Sequence, residues 1–365
     1  MNVPRLVETL VVGGGPAGSA TALTLAKRGV QVDLIERQAG PHDVVCGGFL
    51  GWDALAALRR LGVEPETLGG RAIGTLRLAS AGRAVEARLP HPAAGLSRRC
   101  LDQALLEAAD LGGARVLRGL AARVGDAAGL NVRLEDGSEV RAGAALFLAT
   151  GKHELRGLAR PLPERRGGAV GLRVAFTPDA ALAAALEGVI ELHPFDEGYA
   201  GLLLQEDGQA NLCMSVSSER LRREGGIEGL LAALADEQLL LRERLEAVYD
   251  AAWISVSNVP YGWRACGSAP HLYRVGDQAA VIASLAGDGI AIALTSGIAA
   301  AEAFLAGDSG DLFQRGWAAR SARPLRVAGA LRWAAETAAP RKVMMGLTSA
   351  LPGIAAAAAR LTRIA

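Results

Sequence analysis

The chain lacks the features that mark an exported, metal-binding or nucleic-acid-binding protein. Its four cysteines stand apart without any CxxC spacing, which argues against a disulfide framework and against a zinc site. The formal net charge is only +1, so no basic surplus is available for nucleic acid. No charged segment followed by an apolar run precedes the first apolar strand, so no export signal is predicted. These absences predict a cytoplasmic protein that binds neither metal nor nucleic acid.

What the chain does have is length and apolar content. It contains 365 residues, of which 50% are hydrophobic and 21% are charged. Such a chain can bury a large core, and its length predicts two domains.

The first 37 residues carry the clearest pattern. A short apolar run, Thr9 to Val12, predicts a buried parallel strand, and it is followed directly by the stretch Gly13-Gly14-Gly15-Pro16-Ala17-Gly18. An apolar helical face and a second apolar strand come next. In such a strand–helix–strand unit, Gly13 permits the tight turn, Gly15 lets the backbone approach a pyrophosphate, and Gly18 lets the helix pack on the strand. The free amides and partial positive charge of the helix start would hold the phosphates.

Glu36 ends the second of these strands, 21 residues (36 − 15) after Gly15. A carboxylate at this position can accept hydrogen bonds from ribose hydroxyls, and it disfavours a 2′-phosphate. The nucleotide is therefore predicted to be FAD or NAD and not NADP.

The remaining chain supplies several further elements. Helices are predicted from Trp52 to Leu61, after Ser97-Arg98, and from Ile290 to Leu305. Short strands between about 170 and 216 predict an antiparallel sheet, and Leu272 to Ile282 reads as a buried strand that contains Gly276-Asp277. The segment from Leu312 onwards is Ala-rich and predicted to be helical, with breaks at Pro324, Pro340 and Pro352.

Four separated stretches together resemble one known family. They are Gly13–Gly18 with Glu36; Cys46-Gly47-Gly48 before a helix that ends at Leu61-Gly62; Arg98-x-x-Leu101-Asp102; and Gly276-Asp277 followed by Gly287-Asp288-Gly289-Ile290. This set resembles the FAD-dependent oxidoreductases of the para-hydroxybenzoate hydroxylase fold, and within them the geranylgeranyl reductase branch. The resemblance covers most of residues 5–305.

The resemblance implies that the cofactor is FAD and that particular residues hold it. In the family, residues matching Arg98 and Asp277 hold the pyrophosphate and a ribitol or ribose hydroxyl, respectively. The start of the helix at Gly287–Ile290 faces the flavin, where its amides can stabilise the anionic reduced ring. The complete predicted cofactor site comprises Gly13, Gly15, Pro16, Ala17, Gly18, Glu36, Arg37, Cys46, Gly47, Arg98, Asp277, Gly287, Gly289 and Ile290.

Cys46 belongs by resemblance to a CGG loop beside the flavin ring. A free cysteine of this kind is also compatible with a small buried hydrophobe, so its chemical role stays open. Cys46 and Tyr199 are the two predicted catalytic residues, either of which could supply a proton.

The resemblance also implies an α/β fold with three parts. The Rossmann-type FAD-binding domain would be discontinuous (1–70, 98–155 and 266–310). An antiparallel-sheet substrate domain would take 71–97 and 156–265, and helices would form the tail, 311–365.

The leading functional hypothesis is a reductase or dehydrogenase that acts on a C=C bond of an apolar, isoprenoid- or polyketide-like substrate. The alternative is a flavin monooxygenase for an aromatic or lipophilic substrate, and a third reading is a flavin-binding protein without turnover. The family's YxWxFP motif is missing, since Tyr199-Ala200-Gly201-Leu202-Leu203-Leu204 stands there. The expected pocket lining includes Phe49, Phe195, Tyr199 and Leu203.

Only one GxGxxG is present, so no second Rossmann domain for NAD(P)H is predicted. The electron donor would therefore be NAD(P)H that binds transiently, or a reductase partner. The apolar stretch Val343 to Ala359 predicts a helix pair packed on the substrate domain, or alternatively a peripheral membrane contact.

Overall fold

The computed structural model describes residues 4–124, 130–162, 168–248, 251–351 and 353–364. Within them two β-sheets are flanked by helices. The strands are β1 Arg5–Val12, β2 Val32–Glu36, β3 Phe49–Leu50, β4 Arg71–Ser80, β5 Arg83–Gly95, β6 Arg115–Arg118, β7 Ala122–Val124, β8 Asn131–Leu134, β9 Glu139–Leu148, β10 Ala169–Phe176, β11 Val189–Phe195, β12 Gly198–Leu204, β13 Ala210–Ser217, β14 Ile254–Val259 and β15 Leu272–Arg274. The helices are α1 Pro16–Ala26, α2 Trp52–Leu61, α3 Arg98–Leu111, α4 Ala180–Leu186, α5 Ser218–Arg223, α6 Ile227–Glu237, α7 Leu239–Leu245, α8 Gly289–Leu305, α9 Gly310–Glu336, α10 Ala338–Ala350 and α11 Gly353–Leu361.

The first sheet has the order β6-β2-β1-β9-β8-β7, with β15 also paired to β9. Strands β6, β2, β1, β9 and β15 are parallel, whereas β7 and β8 form an antiparallel edge. Because parallel strands point the same way, the residues that follow β1, β2, β9 and β15 meet at one edge of this sheet. Most of the predicted cofactor residues lie at that edge.

Helices α1, α2, α3 and α8 cover one face of this sheet and bury its largest apolar cluster. Helices α1 and α8 approach each other closely because Gly297 has no side chain. A Cβ atom there would overlap the carbonyl of Ala17, and the hydroxyl of Thr21 donates a hydrogen bond of 3.2 Å to the Gly297 carbonyl. The middle of α8 is thereby held against the first half of α1.

The second sheet has the order β14-β10-β13-β12-β11-β4-β5-β3. It is antiparallel as predicted except at one point, because β11 pairs with β4 in parallel. Side chains alternate across the sheet as the strand period requires. One face packs against α6 and α7 in a second apolar cluster, and the other face lies opposite the cofactor-binding edge.

Two sequence predictions about these elements are wrong. The predicted strand Leu272–Ile282 ends at Arg274, and Gly276–Gln278 instead forms a 3₁₀ turn, in which Gly276 has φ +59°. The break predicted at Pro324 is absent, because helix α9 continues through this residue. Pro340 lies in the first turn of α10, where a missing amide costs nothing, and Pro352 is outside the described residues.

The predicted domain limits stay a prediction. The short strand β3, which falls within the range predicted for the FAD-binding domain, pairs with β5 in the second sheet. In the described part of the chain no single helix is long and apolar enough to span a membrane; α10 and α11 reach that composition only as a pair bent by 118°.

Candidate active site

A cavity of about 940 Å³ lies between the two sheets and the helices α9 to α11. It brings together residues that are far apart in the sequence. Of the predicted site residues, thirteen of the fourteen cofactor positions and Tyr199 line it: Gly13, Gly15, Pro16, Ala17, Glu36, Arg37, Cys46, Gly47, Arg98, Asp277, Gly287, Gly289 and Ile290. Gly18 is buried behind the cavity, where it packs α1 on β1. A Cβ atom there would overlap the Gly13 carbonyl.

The nucleotide end of the cavity is built from the glycine turn and Glu36. Gly13 has φ +108°, a conformation that side chains other than glycine rarely adopt. The carboxylate of Glu36 accepts backbone hydrogen bonds from Gly14 (2.7 Å) and Gln38 (2.8 Å). These amides fix the carboxylate at the edge of the cavity, the place predicted for ribose hydroxyls. Arg37, on the other side, contacts the Nε2 atom of His153 at 3.0 Å.

Arg98 stands at the first turn of α3 and reaches over the glycine turn. Its guanidinium donates two hydrogen bonds of 2.6 Å to Asp102, one turn later. Burial opposes the charge of Arg98, but the Asp102 carboxylate outweighs it and raises the pKa of the guanidinium. A Cβ atom on Gly15 would lie 3.3 Å from Nη2 of Arg98. The guanidinium therefore faces the backbone of Gly15, which no side chain covers. This arrangement suits a pyrophosphate.

At the opposite side of the same edge, Asp277 lies in the 3₁₀ turn that follows β15. Its carboxylate forms an ion pair of 3.1 Å with Lys152, which follows β9. The pairing with Asp277 raises the pKa of Lys152 although burial opposes it. The start of α8 completes this end. A Cβ atom on Gly289 would meet no atom within 4 Å, so the first amides of α8 are open to the cavity.

The Cys46 loop is held from the second sheet. The side-chain amide of Asn211 donates hydrogen bonds to the carbonyls of Cys46 (3.2 Å) and Gly47 (2.9 Å). Arg173 in turn donates to Asn211 (2.7 Å) and pairs with Asp43 (2.9 Å). The backbone amide of Gly48 lies 3.5 Å from the Cys46 sulfur. The loop is thus a defined part of the cavity wall.

Tyr199 on β12 faces the same cavity from the second sheet. Its hydroxyl donates a hydrogen bond of 2.6 Å to Ser284, and the hydroxyl of Tyr261 lies 2.6 Å from the same Ser284 oxygen. Burial raises the pKa of Tyr199 well above its usual value, so the phenol is protonated at neutral pH. Burial likewise raises the pKa of the Cys213 thiol, which also lines the cavity, to about 12.

Beyond these polar groups the wall is apolar. The second sheet supplies Leu76, Leu78, Leu89, Ile190, Leu192 and Met214, and α10 and α11 supply Val343, Met344, Leu347, Ile354, Ala355 and Ala358. Phe49 lines the cavity as expected, but two predicted lining residues do not. Phe195 is fully buried on the opposite face of the sheet, and Leu203 packs beneath the cavity wall in a small cluster with Ile73 and Ala93.

Sequence reasoning missed several residues of this site. Lys152 could have been found, because it closely follows a buried parallel strand and the ends of such strands converge. Asn211 and Arg173 gave no signal, since both lie inside strands and polar residues there usually face solvent. The contribution of α10 and α11 to the wall was also missed; the sequence suggested only that they pack on the substrate domain.

Comparisons with known proteins agree with this geometry. Residues 6–151 match the model of the FAD binding domain family. The menaquinone reductase of Mycobacterium tuberculosis is 29% identical over 336 residues, which cover 86% of this chain and 79% of that protein. A geranylgeranyl bacteriochlorophyll reductase-like protein from Thermoplasma acidophilum superimposes with a TM-score of 0.75 at 20% identity, covering 98% of this chain and 96% of that one. A flavin-dependent brominase gives a TM-score of 0.78 at 15% identity, with 98% and 93% covered.

The fold and the site together define an FAD-binding flavoprotein of the para-hydroxybenzoate hydroxylase fold. The glycine turn, the partly buried Arg98 and the open start of α8 fit a long dinucleotide with a phosphate centre. The chain is an FAD-dependent oxidoreductase with a geranylgeranyl reductase-like fold, as the resemblance predicted.

Proposed function

We propose that this protein is a reductase that saturates a C=C bond of an apolar isoprenoid- or polyketide-like substrate. The observation that carries the proposal is the continuity of one cavity from the residues predicted to hold FAD into a chamber walled by leucine, isoleucine, valine and methionine. Such a wall favours an apolar ligand, because burying apolar surface drives binding. The similarity to a menaquinone reductase over most of the chain supports reduction.

In this proposal the cofactor residues hold FAD and the remaining residues position the substrate and a proton. Bound FAD supplies hydride chemistry at its ring. Arg98, Glu36 and the glycine turn bind the dinucleotide, and the open amides of α8 stabilise negative charge on it. Asn211 holds the Cys46 loop in place. Tyr199 holds the proton that the second carbon of the C=C bond requires, and Ser284 orients its hydroxyl.

The test uses protein whose FAD has been reduced anaerobically with dithionite. A menaquinone with a short prenyl chain and a geranylgeranyl lipid serve as separate probes. We expect oxidised-flavin absorbance to return on mixing with one of them, and the product to gain two hydrogen atoms by mass spectrometry. With molecular oxygen labelled by ¹⁸O, incorporation of the label into the product would establish the monooxygenase instead. No change with any probe, with or without oxygen, would support a flavin-binding protein without turnover.

Replacing Tyr199 by phenylalanine is predicted to slow product formation by about a hundredfold, within the range of a lost general acid. FAD binding should stay unchanged, because the Tyr199 hydroxyl bonds to Ser284 and not to the predicted FAD-binding residues. Single-turnover kinetics of the pre-reduced protein measure this step. The control Tyr261→Phe, which removes only the second hydroxyl at Ser284, should have a smaller effect. If Cys46→Ala is the slow variant and Tyr199→Phe is not, the proton comes from Cys46.

The proposal includes a membrane as the source of the substrate. Val343, Leu347 and Ile354 line the cavity, yet their side chains are 61%, 43% and 38% exposed. These three residues therefore mark the mouth of the cavity. Leu351 and Leu361 add further exposed apolar surface beside it. Residues 337–365 contain no Asp or Glu, while Lys342 and Arg360 are exposed there. Apolar side chains among cations suit the surface of a bilayer that contains anionic lipids.

We therefore predict that the protein co-sediments with phosphatidylglycerol vesicles and much less with phosphatidylcholine vesicles. The double variant Leu351→Glu/Leu361→Glu should lose at least tenfold of this partitioning, because neither residue lines the cavity and both would carry charge to the lipid. Leu239→Glu, an exposed leucine on α7, is the matched control and should bind vesicles like the unmodified protein. Equal binding by the double variant would rule out this surface.

A further inference from the structure

The segment that follows α11 returns to the cofactor end of the molecule. Arg363 lies two residues beyond the end of α11 (363 − 361), and its side chain is only 6% exposed. It lines the cavity together with residues of the glycine turn and of the α8 start. A guanidinium so deeply buried needs compensating charge.

That charge comes from the starts of two helices. Asp288, the residue immediately before α8, is 1% exposed and forms an ion pair with Arg363. Asp53, in the first turn of α2, lies 3.4 Å from the same guanidinium. The guanidinium also lies 4.1 Å from the ring of Trp52, and a Cβ atom on Gly51 would come within 2.6 Å of it. The Arg363 side chain therefore fills a space shaped by the start of α2.

Among the described residues, Arg363 is the only cation that forms an ion pair with Asp288. Asp288 makes no side-chain capping hydrogen bond at α8, and its Oδ2 atom accepts no hydrogen bond there. Asp288 sits between Gly287 and Gly289, which both line the cavity. Removing the Arg363 guanidinium would leave the buried carboxylate of Asp288 unpaired, beside the α8 amides that are predicted to face FAD.

We propose that Arg363 is a positioning residue of the FAD site. It holds Asp288, and with it the start of α8, in the arrangement that binds FAD, and it pins α11 over the cavity. FAD binding and the packing of α11 over the cavity then depend on one side chain, which pairs with both Asp288 and Asp53. This inference rests on FAD as the cofactor and not on the identity of the substrate.

The test compares Arg363→Gln with Arg360→Gln, a control at an exposed arginine of α11. FAD affinity is measured by quenching of flavin fluorescence when FAD is added to the apoprotein, and the packing of the tail by the rate at which trypsin cleaves after Lys342 in α10, a site that every variant keeps. We expect Arg363→Gln to weaken FAD binding by tenfold to a hundredfold and to speed the cleavage, with the control unchanged in affinity. The midpoint potential of bound FAD should fall, because an uncompensated carboxylate disfavours the reduced anion.

Two further variants separate positioning from general damage to the fold. Arg363→Lys keeps the positive charge and should recover part of the affinity. Asp288→Asn added to Arg363→Gln removes the uncompensated carboxylate and should restore FAD affinity and potential, while the tail stays sensitive to trypsin. Wild-type FAD affinity and potential in Arg363→Gln would overturn the proposal. If Arg363→Gln does not fold, the FAD affinities of Arg363→Lys and the double variant are compared instead. The proposal expects the double variant to bind FAD more tightly than Arg363→Lys. An affinity in the double variant no higher than in Arg363→Lys would contradict the proposal.

Discussion

Alanine at Gly18 is expected to give a protein that purifies without FAD and unfolds at a lower temperature. A Cβ atom at this position would overlap the carbonyl oxygen of Gly13, and it would lie 3.1 Å from the Cβ of Ala149. Both neighbours belong to the rigid turn and sheet edge, so α1 must move away from β1. Overpacking of this kind costs about 1–3 kcal/mol in the free energy of unfolding. The same movement shifts the α1 amides that are predicted to hold the pyrophosphate.

Gly15→Ala separates the two effects. Gly15 has ordinary extended backbone angles, and a Cβ atom there would meet only the Nη2 atom of Arg98, at 3.3 Å. The variant should fold normally but bind FAD more weakly, since the Cβ would stand where the backbone meets the pyrophosphate. The matched control is Gly316→Ala in α9, where a Cβ atom meets nothing within 4 Å and alanine is stabilising by up to about 1 kcal/mol. Flavin content and the temperature of thermal unfolding are measured for all three variants. A Gly18→Ala protein that carries FAD and unfolds at the wild-type temperature would contradict the close contact between Gly18 and Gly13.

The second large effect is expected at Glu191, on the face of the second sheet that points away from the cavity. Its carboxylate is fully buried and accepts hydrogen bonds from Arg77 (2.9 Å) and Arg244 (3.2 Å), and it lies 2.8 Å from His193. Glu191→Ala removes the fully buried carboxylate between Arg77 and Arg244, which then pair with the exposed carboxylates of Glu86 and Glu243. Breaking a buried ion pair from one side costs about 3–5 kcal/mol. The thermal midpoint should fall by roughly 5 °C.

The pH dependence of this loss has a definite sign. Burial disfavours the charged form of Glu191, but the hydrogen bonds from His193, Arg244 and Arg77 outweigh it and lower its pKa from 4.5 to about 2. A lowered carboxyl pKa stabilises the fold fully above the unfolded value and progressively less below it. The difference in stability between the wild type and Glu191→Ala should therefore be constant above about pH 5 and shrink as the pH falls towards 2. Denaturant unfolding at several pH values measures it.

Glu187→Ala is the matched control for this prediction. Glu187 pairs with Arg71 at the surface, with 58% of its side chain exposed. An exposed pair of this kind contributes less than about 1 kcal/mol, so the variant should unfold close to the wild type at every pH. A loss of stability in Glu191→Ala no larger than in Glu187→Ala would show that the buried cluster is not a stabilising unit.

The first part of the site was predictable because its signals are local. A strand that ends in Gly13, a helix that starts within the next few residues and an acidic residue after the following strand are all set by nearest neighbours in sequence. The start of α8 is similar, since Gly287 and Gly289 are read directly from the chain. The fold class followed from the same units, and it is confirmed by the FAD binding domain match and by the structural neighbours.

The misjudged elements show where local signals stop. Leu272–Ile282 is apolar near both ends, which a buried strand and a buried turn have in common, so composition alone did not reveal the turn at Gly276. Phe195 and Tyr199 both lie in strands of the second sheet, and only the pairing of β11 with β12 decides which face each side chain takes.

The sequence by itself determined that this chain folds around an FAD-binding strand–helix–strand unit, because glycine spacing, helix starts and an acidic strand end are short-range features. Only the tertiary structure decided how the cavity continues. Asn211 reaches the Cys46 loop, α10 and α11 close the apolar side, and Arg363 meets Asp288, which lies 75 residues earlier (363 − 288). Contacts of that kind are made by packing between distant segments, and no periodicity within either segment specifies the other.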